Sequence, residues 1–254
     1  MVVVGGGPAG MTAAEVLAER GHEVILFEKN ILGGRLLHAA QVPGNRETMV
    51  HVDFMKRRLE SLGVSIRPVE ATAKDIAGLG PRAVIVAAGG RSTALSWPGM
   101  ESVRCVAMDD VFAGRPIGKR VLVWGDDLYC LSTSLLLAHA GKEVVAIEHP
   151  RFFSLDVMEV TATPLYLRVM LAERGVEVLA NGDIREIREK TVHLTDGRMI
   201  EGIDTIVTCK LEKDRSLEKK LKKEGLKTFT IGDARWPRKS ISAACEAFEL
   251  AAKL

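Results

Sequence analysis

The sequence predicts an α/β protein of two parallel sheets, the second inserted into the first. Three observations carry this. Short apolar runs alternate with amphipathic stretches, the pattern of buried parallel strands covered by helices. The order strand, glycine turn, helix, strand, acid occurs twice, beginning near residues 2 and 120. A strand from Lys227 ends in Gly232-Asp233 and leads into a helix near 238–253, completing the first unit after the second has closed. The expected division is a first domain over 1–105 and 226–254, with an inserted domain over 106–225.

The first unit opens on Val2-Val3-Val4, which runs straight into Gly5-Gly6-Gly7-Pro8-Ala9-Gly10. Gly5, Gly7 and Gly10 form Gly-x-Gly-x-x-Gly, and Pro8 suits the first turn of the helix expected over 8–20. Gly5 allows the tight turn, Gly7 lets a pyrophosphate approach the backbone, and Gly10 lets helix and strand pack closely. The phosphates then face the unpaired N–H groups at the positive end of the helix. A second strand over 23–28 ends at Glu28, 23 residues beyond Gly5, where a carboxylate can accept hydrogen bonds from the ribose hydroxyls of an adenosine. The glycine triplet alone would equally serve a structural turn. Strand, glycines, helix, strand and acid in register point to a Rossmann-like site for an adenine dinucleotide or ADP. A helix over 46–62 and strands over 64–67 and 82–87 follow, the last ending in Ala88-Gly89-Gly90.

The second unit repeats the scaffold with a different loop. Its strand covers 120–124, its helix 127–140, and its next strand ends at Glu148, again 23 residues beyond the first glycine, Gly125. The loop reads Gly125-Asp126-Asp127-Leu128-Tyr129-Cys130, so Asp127 and Cys130 replace the second and third glycines. A carboxylate at Asp127 would face a pyrophosphate; two unit charges about 4 Å apart repel by roughly 4 kcal/mol at an effective dielectric near 20. Even half of that weakens binding about tenfold or more. Asp127 is also well placed to cap the following helix. The expectation is that this site does not bind NAD(P)H productively. A helix near 163–174, strands near 176–179, 191–195 and 204–208, and a hairpin turn at Leu194-Thr195-Asp196-Gly197-Arg198 complete the unit. The charged stretch Glu212 to Glu224 reads as a solvated helix with i,i+4 pairing.

Bulk properties narrow the function. The chain has 254 residues, 47% hydrophobic and 27% charged, and its net charge of +2 gives no strong field for nucleic acid or an acidic membrane. It contains no transmembrane run and no signal-peptide pattern, so a cytoplasmic location is expected. Cys105, Cys130, Cys209 and Cys245 stand far apart; no Cys-x-x-Cys suggests a redox disulfide, an iron–sulfur cluster or a zinc site. No nucleophile motif, Walker loop or His-Glu-x-x-His occurs, and no acid–base catalytic residue or metal ligand is nominated. Only Met1 precedes a strand that should be central in its sheet, which suggests a segment of a longer polypeptide; a compact natural start is the alternative.

Five markers stand in order: Gly5 to Gly10, Glu28-Lys29, Leu32-Gly33-Gly34-Arg35-Leu36, Ala87-Ala88-Gly89 and Ile231-Gly232-Asp233. Together they resemble the two-dinucleotide-binding-domain flavoproteins over essentially the whole chain. Gly232-Asp233-Ala234-Arg235-Trp236-Pro237-Arg238 and Ala39-Ala40-Gln41-Val42-Pro43-Gly44 resemble the C-terminal part of old-yellow-enzyme-related oxidoreductases, the group of 2,4-dienoyl-CoA reductase and trimethylamine dehydrogenase. In that group a flavin barrel with an iron–sulfur cluster comes first. This chain carries neither, so the resemblance implies a missing barrel domain or an electron-transfer partner. By position, the resemblance gives Gly5, Gly7, Pro8, Ala9 and Gly10 to the pyrophosphate, Glu28 to the ribose and Lys29 to the flank of the adenine. Gly34, Arg35 and Leu36 would line the pyrophosphate or ribityl side, although Arg35 also reads as a surface charge. Thr72 would meet adenine through its backbone, Ala88 and Gly89 would pack on the cofactor, and Asp233 of Gly232-Asp233 would accept a hydrogen bond from the ribityl chain of FAD. In the second unit, Ile206-Val207-Thr208-Cys209-Lys210 lacks the glycine usual at its end, and the Asp-containing loop leading through Tyr129 resembles the trimethylamine dehydrogenase branch. That branch implies ADP in the first site. Two functions stay open: an FAD-binding oxidoreductase domain taking part in electron transfer, and a non-catalytic ADP-binding module.

Overall fold

The computed structural model describes residues 1–93, 95–125, 127–149, 162–180 and 182–254, with the backbone alone at Asp127 and Ala162. In chain order it begins β1 (Val2–Val4), α1 (Pro8–Glu19), β2 (Ile25–Phe27), α2 (Leu36–Gln41), α3 (Glu47–Ser61), β3 (Ser65–Arg67), α4 (Ala73–Gly78), β4 (Val84–Val86) and β5 (Arg91–Ser92). It continues with β6 (Arg104–Ala107), α5 (Met108–Phe112), β7 (Arg120–Gly125), α6 (Asp127–His139), β8 (Glu143–Glu148), α7 (Ala162–Ala172), β9 (Glu177–Ala180), β10 (Ile184–Arg188), β11 (Thr191–Leu194), β12 (Met199–Ile200) and β13 (Thr205–Cys209). The last elements are β14 (Leu211–Glu212), α8 (Ser216–Lys223), β15 (Thr228–Thr230) and α9 (Ser240–Ala251).

Two units emerge, one of residues 1–40, 45–91 and 211–254, the other of 41–44 and 92–210. In the first, β15, β4, β1, β2 and β3 form one parallel sheet in that order, with Val3 of β1 level with Leu26 of β2 and Ile85 of β4. The inner strands β1, β2 and β4 are apolar on both faces because both are covered. Met11, Leu17, Leu26, Leu59, Ile85 and Ala247 pack on the side of α1, α3 and α9. Val2, Val84, Phe27, Ile76 and Leu221 pack on the side of α4 and α8. Each fully buried leucine of this kind contributes about 1.5–3 kcal/mol of burial free energy.

The chain leaves β1 towards β2 and β3, then crosses back to β4 and β15. The order therefore reverses beside β1, and the crevice between the carboxyl ends of β1 and β4 is where ligands settle in such sheets.

The second unit has its own parallel sheet, ordered β6-β13-β7-β8-β9, and an antiparallel ribbon β10-β11-β12. Leu122, Ile147, Val192, Leu194 and Ile206 share one core beneath the two. The hairpin turn sits where the sequence placed it, with the Leu194 N–H donating to the Arg198 carbonyl at 2.9 Å.

The boundaries between the units differ from those expected at 105 and 226. Arg104-Cys105-Val106-Ala107 pairs with β13, register Val106 to Val207, and so belongs to the second sheet. On the return, α8 covers the first sheet through Leu221, so the crossing falls at Leu211. Nor is α8 wholly solvated. Glu218 is buried and accepts from Lys222 at 2.6 Å, the i,i+4 pair expected, but turned inward.

Candidate functional site

The glycine loop after β1 lies at the switch point, and its three glycines have different reasons for being glycine. Gly5 adopts φ +105°, and a Cβ there would come 2.2 Å from the Ala87 carbonyl oxygen. A Cβ on Gly10 would come 1.8 Å from the Gly5 carbonyl oxygen. Packing of the protein alone demands both. Gly7 has an ordinary φ of −77°, and the nearest heavy atom to a Cβ there is the Gly34 Cα at 3.9 Å. Among the described residues, nothing excludes a side chain at Gly7. A pyrophosphate lying on the loop would.

The start of α1 fits the same ligand. Gly7 is its N-cap, Pro8 its first residue, no side chain caps it, and its first turn has no acid. Its leading N–H groups, which have no partner within the helix, are arranged for an anion. Gly33 and Gly34 close over the loop: the Gly33 N–H donates to the Gly6 carbonyl at 2.8 Å, and a Cβ on Gly34 would lie 2.9 Å from the Gly7 Cα. Leu36 then opens α2.

Glu28 sits at the end of β2 with both carboxylate oxygens aimed by backbone. One accepts from the Gly6 N–H at 2.6 Å, the other from the Asn30 N–H at 2.8 Å. Each oxygen keeps a further lone pair for a hydroxyl donor. Lys29 lies outside this arrangement, in an exposed pair with Glu70 at 3.1 Å. Thr72 stands at the N-terminus of α4. Its N–H donates to Asp75 Oδ2 at 2.9 Å and its carbonyl accepts from Ile76 at 3.1 Å, so both backbone groups serve the N-terminus of α4.

Across the crevice, Ala88 is exposed beside Gly5, and Gly89 (φ +79°) faces Arg35, whose Nη1 would be 3.6 Å from a Cβ there. Arg35 is no loose surface charge: its Nη2 donates to the Gly90 carbonyl at 3.0 Å. Gly90 is flanked by Asp233, whose Cβ would lie 3.5 Å from a Cβ on the glycine. Gly232 turns at φ +61° against Ala9, with 3.0 Å between the Ala9 Cβ and a Cβ on Gly232, and donates its N–H to Glu246 at 3.0 Å. Sequence reasoning missed Gly6, Gly90 and Glu246. The doublets Gly33-Gly34 and Gly89-Gly90 were the visible signal for two loops meeting; Glu246 had none.

Asp233 accepts from the Arg238 N–H at 3.1 Å, yet burial pushes its carboxyl above the ordinary 3.8, against the lowering effects of that N–H, Arg35 and Arg238. A folded pKa above the unfolded one means that the unliganded fold loses stability as pH rises from about 4 through the raised value. Asp233→Asn should therefore raise the Tm of the unliganded chain at pH 7 and not at pH 3. If Asp233 meets a ribityl chain, as the resemblance implies, the variant should also weaken FAD by about 1.5–3 kcal/mol, the range for a hydrogen bond to a charged group, and leave ADP unchanged. Thermal melts and titrations of both ligands check this.

The second unit keeps the first glycine and loses the rest. Gly125 has φ +146°, and a Cβ there would be 2.5 Å from the Cys209 carbonyl oxygen, the counterpart of Gly5 against Ala87. In place of a third glycine, the buried Cys130 thiol lies 3.5 Å from the carbonyls of Val123 and Ile147, its pKa driven well up by burial and then by Cys209 and Glu148. A side chain thus stands between strand and helix where the first unit has none. Glu148 is also committed, accepting from Arg168 Nη2 with both oxygens at 2.8 and 2.9 Å. Asp126 and the Asp127 side chain, with its expected capping role, lie outside the described residues.

A family model described as "Pyridine nucleotide-disulphide oxidoreductase" matches residues 1–232. The NADH oxidase of Thermoanaerobacter brockii is 31% identical over 273 residues, taking in 99% of this chain and 40% of that protein. The structure of 2-naphthoyl-CoA reductase in complex with 2-naphthoyl-CoA superposes with a TM-score of 0.88 at 25% identity, over 100% of this chain and 39% of that one. Histamine dehydrogenase from Rhizobium sp. 4-9 follows at 0.84 and 26%, over 100% and 43%. The chain spans about two-fifths of the length of each. Among the described residues, no helix is long and apolar enough to cross a membrane.

Proposed function

This chain belongs to the pyridine nucleotide-disulphide oxidoreductase family, and on that premise we propose that its first unit holds FAD in a flavin-dependent oxidoreductase that passes electrons to or from a further domain or partner. Membership and the fold support binding of FAD or NAD(P) in general terms. The choice of FAD and the roles of single residues are the inference. The observation that carries it is Gly7, a glycine that neither backbone geometry nor packing among the described residues requires, directly before a helix start with no capping side chain. When bound, the flavin supplies the redox chemistry; the protein's part is to bind and tune it. Gly5 to Gly10 and Gly34 cradle the pyrophosphate, Glu28 takes the ribose diol, and Lys29 borders the adenine. Ala88 and Gly89 line the crevice, and Arg35 and Asp233 face each other across Gly90 where the ribityl chain would pass.

The relatives carry names of an oxidase, a reductase and a dehydrogenase, so redox chemistry is common to them and no substrate is. We place the protein in the cytoplasm. A second reading, ADP in the same site of a non-catalytic module, is favoured by the second unit, where a thiol and an ion pair stand in for glycine and a free carboxylate. The absorption spectrum of the purified chain decides between them. A yellow protein with flavin bands supports FAD; a colourless one that releases ADP on denaturation replaces that reading with the second.

A further inference from the structure

The stretch that carries α8 is the densest run of cations in the sequence. Residues 212–227 hold seven cations and four acids, a net of +3 against +2 for the whole chain. Lys213, Lys219, Lys220, Lys222, Lys223 and Lys227 are all exposed, whereas Glu224 is the one exposed acid of that stretch. The other acids are spent locally. Buried Glu218 faces Lys222 at 2.6 Å and Arg215 at 3.7 Å, and Asp214 accepts from the Ser216 N–H at 2.8 Å. Leu221 anchors the opposite side of the helix in the core, so the lysine face is held outward on a fixed element.

We propose that this face docks an acidic protein surface in a transient, salt-sensitive encounter; the need for such a partner rests on the reading of the chain as an electron-passing segment. Lysine chemistry decides the class of partner. Lysines are hydrated point charges without the planar fork that suits phosphates, and the one arginine of the stretch already faces Glu218. No aromatic residue lies within 212–227 to stack a base, which argues against single-stranded nucleic acid. Lysine is depleted in the cores of stable interfaces but well suited to steering a diffusional encounter. The net charge of the remaining residues of this chain is near zero, so the steering field here comes from the lysine face itself.

The test uses the full chain and a purified, strongly acidic flavodoxin as probe, with binding measured at 20 and 300 mM NaCl. Expected are micromolar binding at low salt and at least tenfold weakening at high salt. K219E/K220E/K223E should weaken it at least tenfold and K219Q/K220Q/K223Q by less, while R20E/R57E/R82E, an equal charge change elsewhere on the same unit, should alter it less than threefold. Circular dichroism verifies that each variant folds, and retention of FAD or ADP, measured separately, keeps a failure of docking distinct from a failure of the nucleotide assignment. Absence of salt-sensitive binding, or equal losses in both reversals, overturns the proposal. So does an oligonucleotide that binds the same lysines more tightly than flavodoxin.

Discussion

Gly10→Ala should leave the chain unable to hold its native first unit, whereas Gly7→Ala should leave the fold intact and empty the proposed nucleotide site. The two substitutions add the same methyl group three residues apart. At Gly10 it would lie 1.8 Å from the Gly5 carbonyl oxygen, a backbone atom that cannot swing aside. Helix α1 would have to lift off β1, and the buried faces of Met11 and Leu17 would lift with it. Overpacking of this kind costs about 1–3 kcal/mol when a core can adjust, and more where backbone meets backbone. At Gly7 the nearest atom to the methyl among the described residues is a Cα at 3.9 Å, ordinary contact, so stability should change by less than about 0.5 kcal/mol. The methyl would instead hold a pyrophosphate off the N–H groups at the start of α1. Losing one such charge-assisted hydrogen bond costs about 1.5–3 kcal/mol, or roughly 10- to 100-fold in affinity. Gly7→Asp adds like-charge repulsion of roughly 4 kcal/mol at 4 Å and should abolish retention. Chemical denaturation and equilibrium dialysis with FAD and ADP read the two effects separately. A destabilised Gly7→Ala, or one that binds both nucleotides as the parent does, would contradict the pyrophosphate assignment.

That contrast also shows how far the residues spoke for themselves. A strand of three valines, glycines at fixed intervals and an acid at the end of the next strand are local signals, and the structure has β1, α1, β2 and Glu28 within two residues of where they were read. The Gly-Asp at 232–233 was legible because a strand leading into a helix recurs at the C-terminal end. Short or amphipathic elements were not. β6 is four residues, Arg104-Cys105-Val106-Ala107, and becomes a strand only because β13, a hundred residues on, lies beside it. α8 looked like a solvated helix because its cations dominate the sequence, while its buried contribution is two residues, Glu218 and Leu221. Thr72 carries a further local signal, since Thr and Asp three residues apart form a capping box at the start of α4. The ion pair of Glu148 could not be read, since nothing in the order of residues says that Arg168 turns back to it.

That ion pair shapes the second large effect: NADH and NADPH should bind the second unit weakly, and should not rapidly reduce flavin carried in the first. The first obstacle is the loop, where Asp127 stands in place of the glycine that would approach a pyrophosphate. Cys130 is the next. Its thiol occupies space between β7, β8 and α6, whereas close packing at Gly10 leaves no room for a side chain in the first unit, so Cys130→Gly would leave a void instead of restoring the close approach. Glu148 is the last. Glu28 is aimed by two backbone N–H groups and stays available, whereas Glu148 is nearly buried and holds a guanidinium on both oxygens. A free carboxylate in this place would favour NADH over NADPH by opposing a 2′-phosphate, but Glu148 is neutralised before any ribose arrives. Removing Arg168 alone does not repair the site, because it strands a buried charge. Breaking a buried pair costs about 3–5 kcal/mol, and the partial exposure of Arg168 should bring Arg168→Leu to about 2–3 kcal/mol. Glu148→Leu together with Arg168→Leu should restore most of that, since replacing both partners with apolar groups is close to neutral. Asp127→Gly should improve NADH affinity by tenfold or less while Arg168 still holds Glu148. Urea denaturation reads the stability cycle, and anaerobic stopped-flow mixing of flavin-loaded protein with each coenzyme reads the site. Fast bleaching of the flavin by micromolar NADH in the parent chain would mean that the glutamate lets go of Arg168 for a ribose, and that the second unit is a working coenzyme site.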